Sequence, residues 1–132
     1  MERMTLLIED EDDLRTLLEE YLRDNGLSVA AFGSADKALP YWRQHAEDID
    51  LILTDIRMPG TIDGVGLARE VRARPGHQPS IVMISGFEPP PRQMLEQLGV
   101  TDFISKPFRI SELSRLCRMR AIEAQQSAKT TR

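Results

Sequence analysis

Four short apolar runs in this chain each end abruptly on a polar residue. The runs and the polar residues that follow them are 5–8 with Glu9 and Asp10, 51–54 with Asp55, 81–84 with Ser85, and 102–105 with Lys106. In an open parallel sheet, ligands bind just beyond the carboxyl ends of the strands. A fold of that type would therefore gather three carboxylates, a hydroxyl and an ammonium at one edge.

Strand-like and helix-like segments alternate five times along the chain. Residues 12–25 carry apolar side chains at i, i+3, i+4, i+7 and i+8, which predicts an amphipathic helix that Gly26 ends. Ser34 is placed to cap a second helix, in which Pro40 should cause a kink or a delayed start. The other predicted elements are strands at 27–32, 50–54, 80–84 and 101–105, and helices at 65–74, 92–98 and from about 109.

This alternation predicts an α/β fold, namely a doubly wound five-stranded parallel sheet. Connections between parallel strands are right-handed, and this rule leaves few topologies for such a sheet. Among them, strand order 2-1-3-4-5 puts a topological switch point between the first and third strands. Glu9, Asp10 and Asp55 end those two strands and would share one crevice. Residues 1–120 are expected to form one domain, and residues 121–132 the end of the last helix and a polar tail.

Composition and charge exclude several classes of protein. The net charge is −4, and Arg115, Arg118 and Arg120 form the one loose basic cluster, so no nucleic-acid partner is expected. No apolar stretch approaches the roughly 18 to 20 residues that span a membrane, and residues 1–4 do not begin a signal peptide. The single cysteine, Cys117, cannot form an internal disulfide and is expected to be a packing residue, so a cytoplasmic location is expected.

The three carboxylates point to a divalent cation. Like charges a few ångströms apart repel strongly, and Mg²⁺ prefers hard oxygen ligands. An acidic helix start explains Asp12 and Asp13 equally well, because acidic residues favour a helix N-terminus. It does not explain Asp55, which follows an apolar strand and could attack phosphorus to form an aspartyl phosphate.

A hydroxyl and an ammonium complete the predicted site. Ser85 can donate a hydrogen bond to a phosphoryl oxygen, and Lys106 can neutralise one as a point charge. Pro107 restricts the preceding lysine to an extended conformation and so fixes its direction. The joint placement of these groups indicates a Mg²⁺-dependent phosphoacceptor.

The chain resembles the receiver domains of two-component response regulators, which have a flavodoxin-like fold. The resemblance spans roughly residues 3–118 and rests on five segments in the family's order, namely 7–11, 50–60, 63–64, 84–86 and 104–108, with sequences LIEDE, DLILTDIRMPG, DG, ISG and ISKPF. Such a set is far more specific than any single motif.

By this resemblance, the chain is a phosphorylation-dependent signalling switch. Asp55 would accept a phosphoryl group from a sensor histidine kinase or a phosphotransfer protein. Asp10, Asp55 and the backbone carbonyl of Arg57 would bind Mg²⁺, with Glu9 acting through water.

The resemblance also implies how the signal is transmitted. Ser85 and Lys106 would sense the phosphoryl group, and Phe103 would be the aromatic switch. An unknown downstream protein would bind the face formed by the fourth helix, the fifth strand and the fifth helix. The peptide bond between Lys106 and Pro107 is expected to be cis.

The sequence departs from the family pattern at three places. Residues 61–62 lengthen the loop after Asp55 by one residue, and Glu9 stands where aspartate is commoner. The prolines at 89–91 stiffen a segment that usually moves on activation, so the conformational change is expected to be small.

Two other functions fit the topology less well. A phosphatase or phosphotransferase acting on an external substrate would need a general acid beside its nucleophile, but Arg57 lies two residues after Asp55 and no cap domain is inserted. A flavin or nucleotide module would need a first loop that cradles phosphate, and the acidic segment 9–13 would repel it. The chain is therefore not expected to be a turnover enzyme.

Overall fold

The structure is a computed structural model that describes the backbone of residues 2–130 and the side chains of residues 2–127. Within this range, five parallel strands form one sheet in the order β2-β1-β3-β4-β5, which confirms the predicted fold class. The strands are β1 (Met4–Ile8), β2 (Val29–Phe32), β3 (Ile49–Asp55), β4 (Ser80–Ser85) and β5 (Val100–Ser105). The helices are α1 (Asp12–Asp24), α2 (Ala35–His45), α3 (Gly64–Ala73), α4 (Arg92–Gln97) and α5 (Ile110–Thr130).

The helix boundaries follow from local signals. Gly26 adopts φ +84° after α1, and its amide donates to the carbonyl of Arg23, as expected of a glycine that ends a helix. Ser34 caps α2, because its hydroxyl accepts a hydrogen bond from the Lys37 amide at 3.2 Å. Pro40 lies inside α2 without delaying its start, which is still the residue after Ser34. The predicted tail lies partly outside the described residues.

The helices cover both faces of the sheet. On one face, α2, α3 and α4 pack through residues that include Ala38, Trp42, Leu67, Val71 and the partly buried Leu95. On the other face, α1 and α5 contribute Leu18, Leu22, Leu113, Cys117 and Ala121. Every residue of β3 is buried, as expected for the central strand of a parallel sheet. Within residues 2–130, no helix is both long enough and apolar enough to cross a membrane.

Strand register brings the predicted site residues to one edge. Ile8 is paired with Thr54, so Glu9 comes directly beside Asp55. Asp55 is paired with Ile84, and Ser85 with Ser105, so Ser85 and Lys106 follow on the same side. The helix α4 is only six residues long, and none of its residues is fully buried.

An ion cluster joins three segments at the opposite end of the sheet. The Asp50 side chain is 4% exposed and accepts hydrogen bonds from Arg3 Nη2 at 2.5 Å and Nε at 3.0 Å. The ring nitrogen Nε2 of His77 lies 2.9 Å from the same carboxylate. The His77 ring is only 7% exposed in this cluster.

We expect Asp50→Ala to lower the free energy of unfolding by about 2 to 3 kcal/mol, because it leaves the partly exposed Arg3 guanidinium without its carboxylate. Urea unfolding measures the change. The control Asp12→Ala breaks a pair with Arg15 in which the Asp12 side chain is 84% exposed, and it should cost less than about 1 kcal/mol. Equal losses in the two variants would contradict the prediction.

Candidate functional site

Three carboxylates meet at the carboxyl ends of β1 and β3. One oxygen from each of Glu9, Asp10 and Asp55 lies within 4.8 Å of the others. Glu9 is completely buried and Asp55 is 5% exposed, whereas Asp10 faces solvent. Hard oxygen donors clustered in this way fit Mg²⁺, which takes a few protein carboxylates and keeps several waters.

The ammonium of Lys106 lies against two of these carboxylates. Its Nζ donates to Asp55 Oδ2 at 2.7 Å and to Glu9 Oε1 at 3.3 Å. Burial by itself would lower the pKa of Lys106, but the hydrogen bonds and charges of Asp55 and Glu9 outweigh it and raise that pKa. The Lys106 amide donates to the Ser85 carbonyl at 2.8 Å, which ties its backbone to the end of β4. The peptide bond between Lys106 and Pro107 is cis, as predicted.

Both oxygens of Asp55 have protein partners. Oδ1 accepts a hydrogen bond from the Ile56 amide at 2.8 Å, and Oδ2 faces Lys106. The start of α3 approaches the backbone of Asp55 so closely that only glycine fits at position 64. A Cβ on Gly64 would overlap the carbonyl oxygen of Asp55 and come within 3.0 Å of the Ile56 Cα. The carboxylate is therefore held between the Ile56 amide and the Lys106 ammonium, while the start of α3 lies against the backbone of Asp55 and Ile56.

Glu9 differs from Asp10 in both solvation and partners. Burial raises the pKa of Glu9 to about 7, and the negative charge of Asp55 adds to this, while the Glu11 amide and Lys106 oppose it. Its Oε2 accepts from the Glu11 amide at 3.0 Å, and its Oε1 faces Lys106. Since both Glu9 oxygens are engaged and Asp10 is exposed, Asp10 is the more accessible ligand for an incoming cation.

The loops after β3 and β4 contact each other. The guanidinium of Arg57 lies 4.1 Å from the centroid of the Phe87 ring, an arrangement that allows a cation–π interaction. The Phe87 amide donates to the buried Ser85 hydroxyl at 3.1 Å. Arg57 and Phe87 each come two residues after a strand-terminal site residue, but the sequence had not predicted that they touch.

Two further contacts were also not predicted. Arg15 on α1 donates to the backbone carbonyl of Glu9 at 2.8 Å and so supports the acidic turn. Asp36 on α2 accepts hydrogen bonds from the loop after β3.

Phe103, expected to be the switch, is half-buried on β5 and packs on the α2–α3–α4 side of the sheet. Its role stays a prediction, as do those of the other site residues.

Comparison with known proteins identifies the family. Residues 5–118 match the family described as response regulator receiver domain. The transcriptional regulatory protein BaeR of Escherichia coli O6:H1 is 34% identical over 95% of this chain and 53% of its own length. The cyclic di-GMP phosphodiesterase response regulator RpfG of Xanthomonas campestris is 36% identical over 85% of this chain and 30% of its own length. The chain thus spans about half or less of these relatives.

Solved structures agree with this assignment. The BeF3-activated N-terminal receiver domain of RstA from Klebsiella pneumoniae superposes with a TM-score of 0.73 at 26% identity, covering 90% of this chain and 98% of that one. A CheY-like receiver domain protein from Methanospirillum hungatei gives a TM-score of 0.78 at 20% identity, with coverage of 96% and 99%, and supports the fold alone. The chain therefore belongs to the response regulator receiver domain family, the phosphoacceptor switches of two-component signalling.

Proposed function

We propose that Asp55 is the phosphoacceptor of this chain and that Asp10, Asp55 and the backbone carbonyl of Arg57 hold Mg²⁺, with Glu9 acting through water. The observation that carries the proposal is the position of the Lys106 ammonium, 2.7 Å from Asp55 Oδ2, beside the cluster of three carboxylates. When bound, Mg²⁺ would neutralise charge that develops on phosphoryl oxygens.

The phosphoryl donor is a phosphohistidine on a sensor histidine kinase or a phosphotransfer protein. An Asp55 carboxylate oxygen forms the new bond to phosphorus, and the phosphorus–nitrogen bond breaks with its electron pair going to the imidazole. Lys106 and the Ser85 hydroxyl then bind phosphoryl oxygens. Their positions at the carboxyl ends of β5 and β4 support these roles. The chain assists this transfer to itself and turns over no external substrate, since Arg57 offers no general acid.

The output passes through the face formed by α4, β5 and α5. Ser85 and Lys106 move towards the phosphoryl group, Phe103 turns inward, and an unknown downstream protein binds. A groove of about 620 Å³ between the end of β5 and α5 supports the β5–α5 part of this face, and its apolar lining comes from Ile104, Pro107, Phe108, Leu113 and Leu116. The prolines at 89–91 keep the movement small and local.

We also propose a domain organisation and a cellular location for this chain. Residues 1–120 form the receiver domain, and residues 121–132 the end of α5 and a polar tail. The protein works in the cytoplasm and binds neither nucleic acid nor membrane through this domain, in keeping with the net charge of −4.

With Mg²⁺ and acetyl phosphate, we expect the protein to gain one phosphoryl group and Asp55→Asn to gain none, because the amide is not a nucleophile for phosphorus. Intact-mass spectrometry measures the gain. Asp13→Asn, which changes an exposed carboxylate in the first turn of α1, is the matched control and should label like wild type. Labelling of Asp55→Asn to the wild-type level would refute the assignment of Asp55 as the phosphoacceptor.

In metal-free protein, stability should depend on the protonation of Glu9. Because the pKa of Glu9 in the folded state is raised to about 7 from 4.5, its contribution to stability is present at low pH and is lost as pH rises through about 7. We expect the free energy of unfolding to fall by about 2 kcal/mol between pH 5 and pH 8, and by less in Glu9→Gln.

Urea unfolding in EDTA at four pH values across that range tests this expectation. Glu11→Gln is the control, because it makes the same chemical change at an exposed position two residues away. The prediction fails if Glu9→Gln retains the whole wild-type decrease, or if Glu11→Gln removes as much of it.

The lifetime of the phosphorylated form should depend on Phe87. Hydrolysis needs a water opposite the leaving carboxylate, and we infer that the apolar Phe87 ring, which contacts Arg57 in the loop after Asp55, hinders that water. We expect Phe87→Glu, whose carboxylate can orient that water, to lose phosphate about fivefold faster, equivalent to about 1 kcal/mol. Phe87→Leu keeps an apolar side chain and should decay within about twofold of wild type. Phosphate-affinity gels follow the decay; no acceleration in Phe87→Glu would refute the shielding argument.

A further inference from the structure

The loop between β3 and α3 is attached to α2 by one side chain. The Asp36 carboxylate accepts three hydrogen bonds from this loop, with Oδ2 taking the Thr61 amide at 2.8 Å and the Thr61 hydroxyl at 3.0 Å. Its Oδ1 takes the Ile62 amide at 2.9 Å. In the described part of the chain, every hydrogen bond made by residues 57–62 goes to this carboxylate.

The neighbouring glycine is shaped for this contact. Gly60 has φ +114°, a conformation that side-chain-bearing residues rarely adopt. A Cβ at Gly60 would also lie 2.7 Å from Asp36 Oδ2, so the carboxylate occupies the space that a side chain would need. The attachment therefore depends on a glycine at position 60 as well as on Asp36.

The carboxylate sits on a firmly packed helix. Asp36 is the second residue of α2, where a negative charge is favoured by the helix dipole. Its neighbours Ala35, Ala38 and Trp42 are buried in the core, so α2 gives the loop a rigid support. The hydrogen bond from the Thr61 amide lowers the pKa of Asp36, helped by the Thr61 hydroxyl and the Ile62 amide against the effect of burial.

The loop that Asp36 holds carries part of the proposed metal site. Its first residues follow Asp55 directly, and the backbone carbonyl of Arg57 lies four positions before Thr61. The loop is also fixed at its ends, where the Ile56 amide donates to Asp55 Oδ1 and the Gly64 amide to the Ile56 carbonyl. Between these ends, the contact with Asp36 restrains Thr61 and Ile62.

We propose that Asp36 is a positioning residue for metal binding: it anchors the β3–α3 loop on α2 and so presents the Arg57 carbonyl to Mg²⁺. This role rests on the function proposed above. Partners that orient metal ligands from outside the coordination sphere commonly cost 10-fold or more in metal affinity when they are removed.

The test compares Mg²⁺ affinity and loop order in the full chain without any phosphoryl donor. We expect Asp36→Ala to raise the Mg²⁺ dissociation constant about tenfold by calorimetric titration. The amides of Thr61 and Ile62 should exchange faster with solvent in the same variant, as nuclear magnetic resonance can measure. Asp13→Ala removes one carboxylate from the first turn of α1 and should change the dissociation constant by less than about twofold.

A second variant separates anchoring from charge. Thr61→Val removes one of the three hydrogen bonds without changing any charge, and it should raise the dissociation constant by about twofold to threefold. If Asp36→Ala does not fold, the Mg²⁺ affinity of Thr61→Val still tests the proposal.

Three results would overturn the proposal. The first is wild-type Mg²⁺ affinity in Asp36→Ala together with faster exchange at Thr61 and Ile62. The second is an equal loss of affinity in Asp36→Ala and Asp13→Ala, which would indicate a charge effect alone. The third is wild-type protein that binds no Mg²⁺, which would refute the proposed metal site itself and with it the role of Asp36.

Discussion

The arrangement of the site depends on the ammonium of Lys106 between Asp55 and Glu9. Two buried carboxylates side by side repel each other, and burial removes the water that would otherwise screen them. Lys106 lies within hydrogen-bonding distance of both and comes from β5, at the far edge of the sheet from β2. The ion contacts thus join β1, β3 and β5 at their carboxyl ends. An incoming cation or phosphoryl group would have to share these oxygens with the ammonium.

The parallel sheet provides the geometry for that contact. Because the strands run the same way, the residue after each strand lies at one edge, and the order β2-β1-β3-β4-β5 makes β1 and β3 neighbours. Every residue of β3 is buried, and a shift in its pairing would carry Asp50 and Asp55 away from their partners Arg3 and Lys106. Stability from the core and placement of Asp55 are therefore one property of this strand.

Features particular to this chain lie in the loops above the common framework. The loop after β3 is both attached to α2 through Asp36 and in contact with the next loop through Arg57 and Phe87. Such contacts restrict the loop without changing the strand ends.

The sequence by itself determined the fold class, the strand ends and the residues that meet there, because apolar periodicity, Ser34 and Gly26 are local signals. It did not show that Glu9 is buried with a raised pKa, that His77 pairs with Asp50, or that Asp36 holds Thr61. The helix α2 begins directly after its cap, Ser34, and continues past Pro40. Tertiary structure decided these features, since each depends on which distant segments pack together, and spacing along a chain carries no measure of that approach.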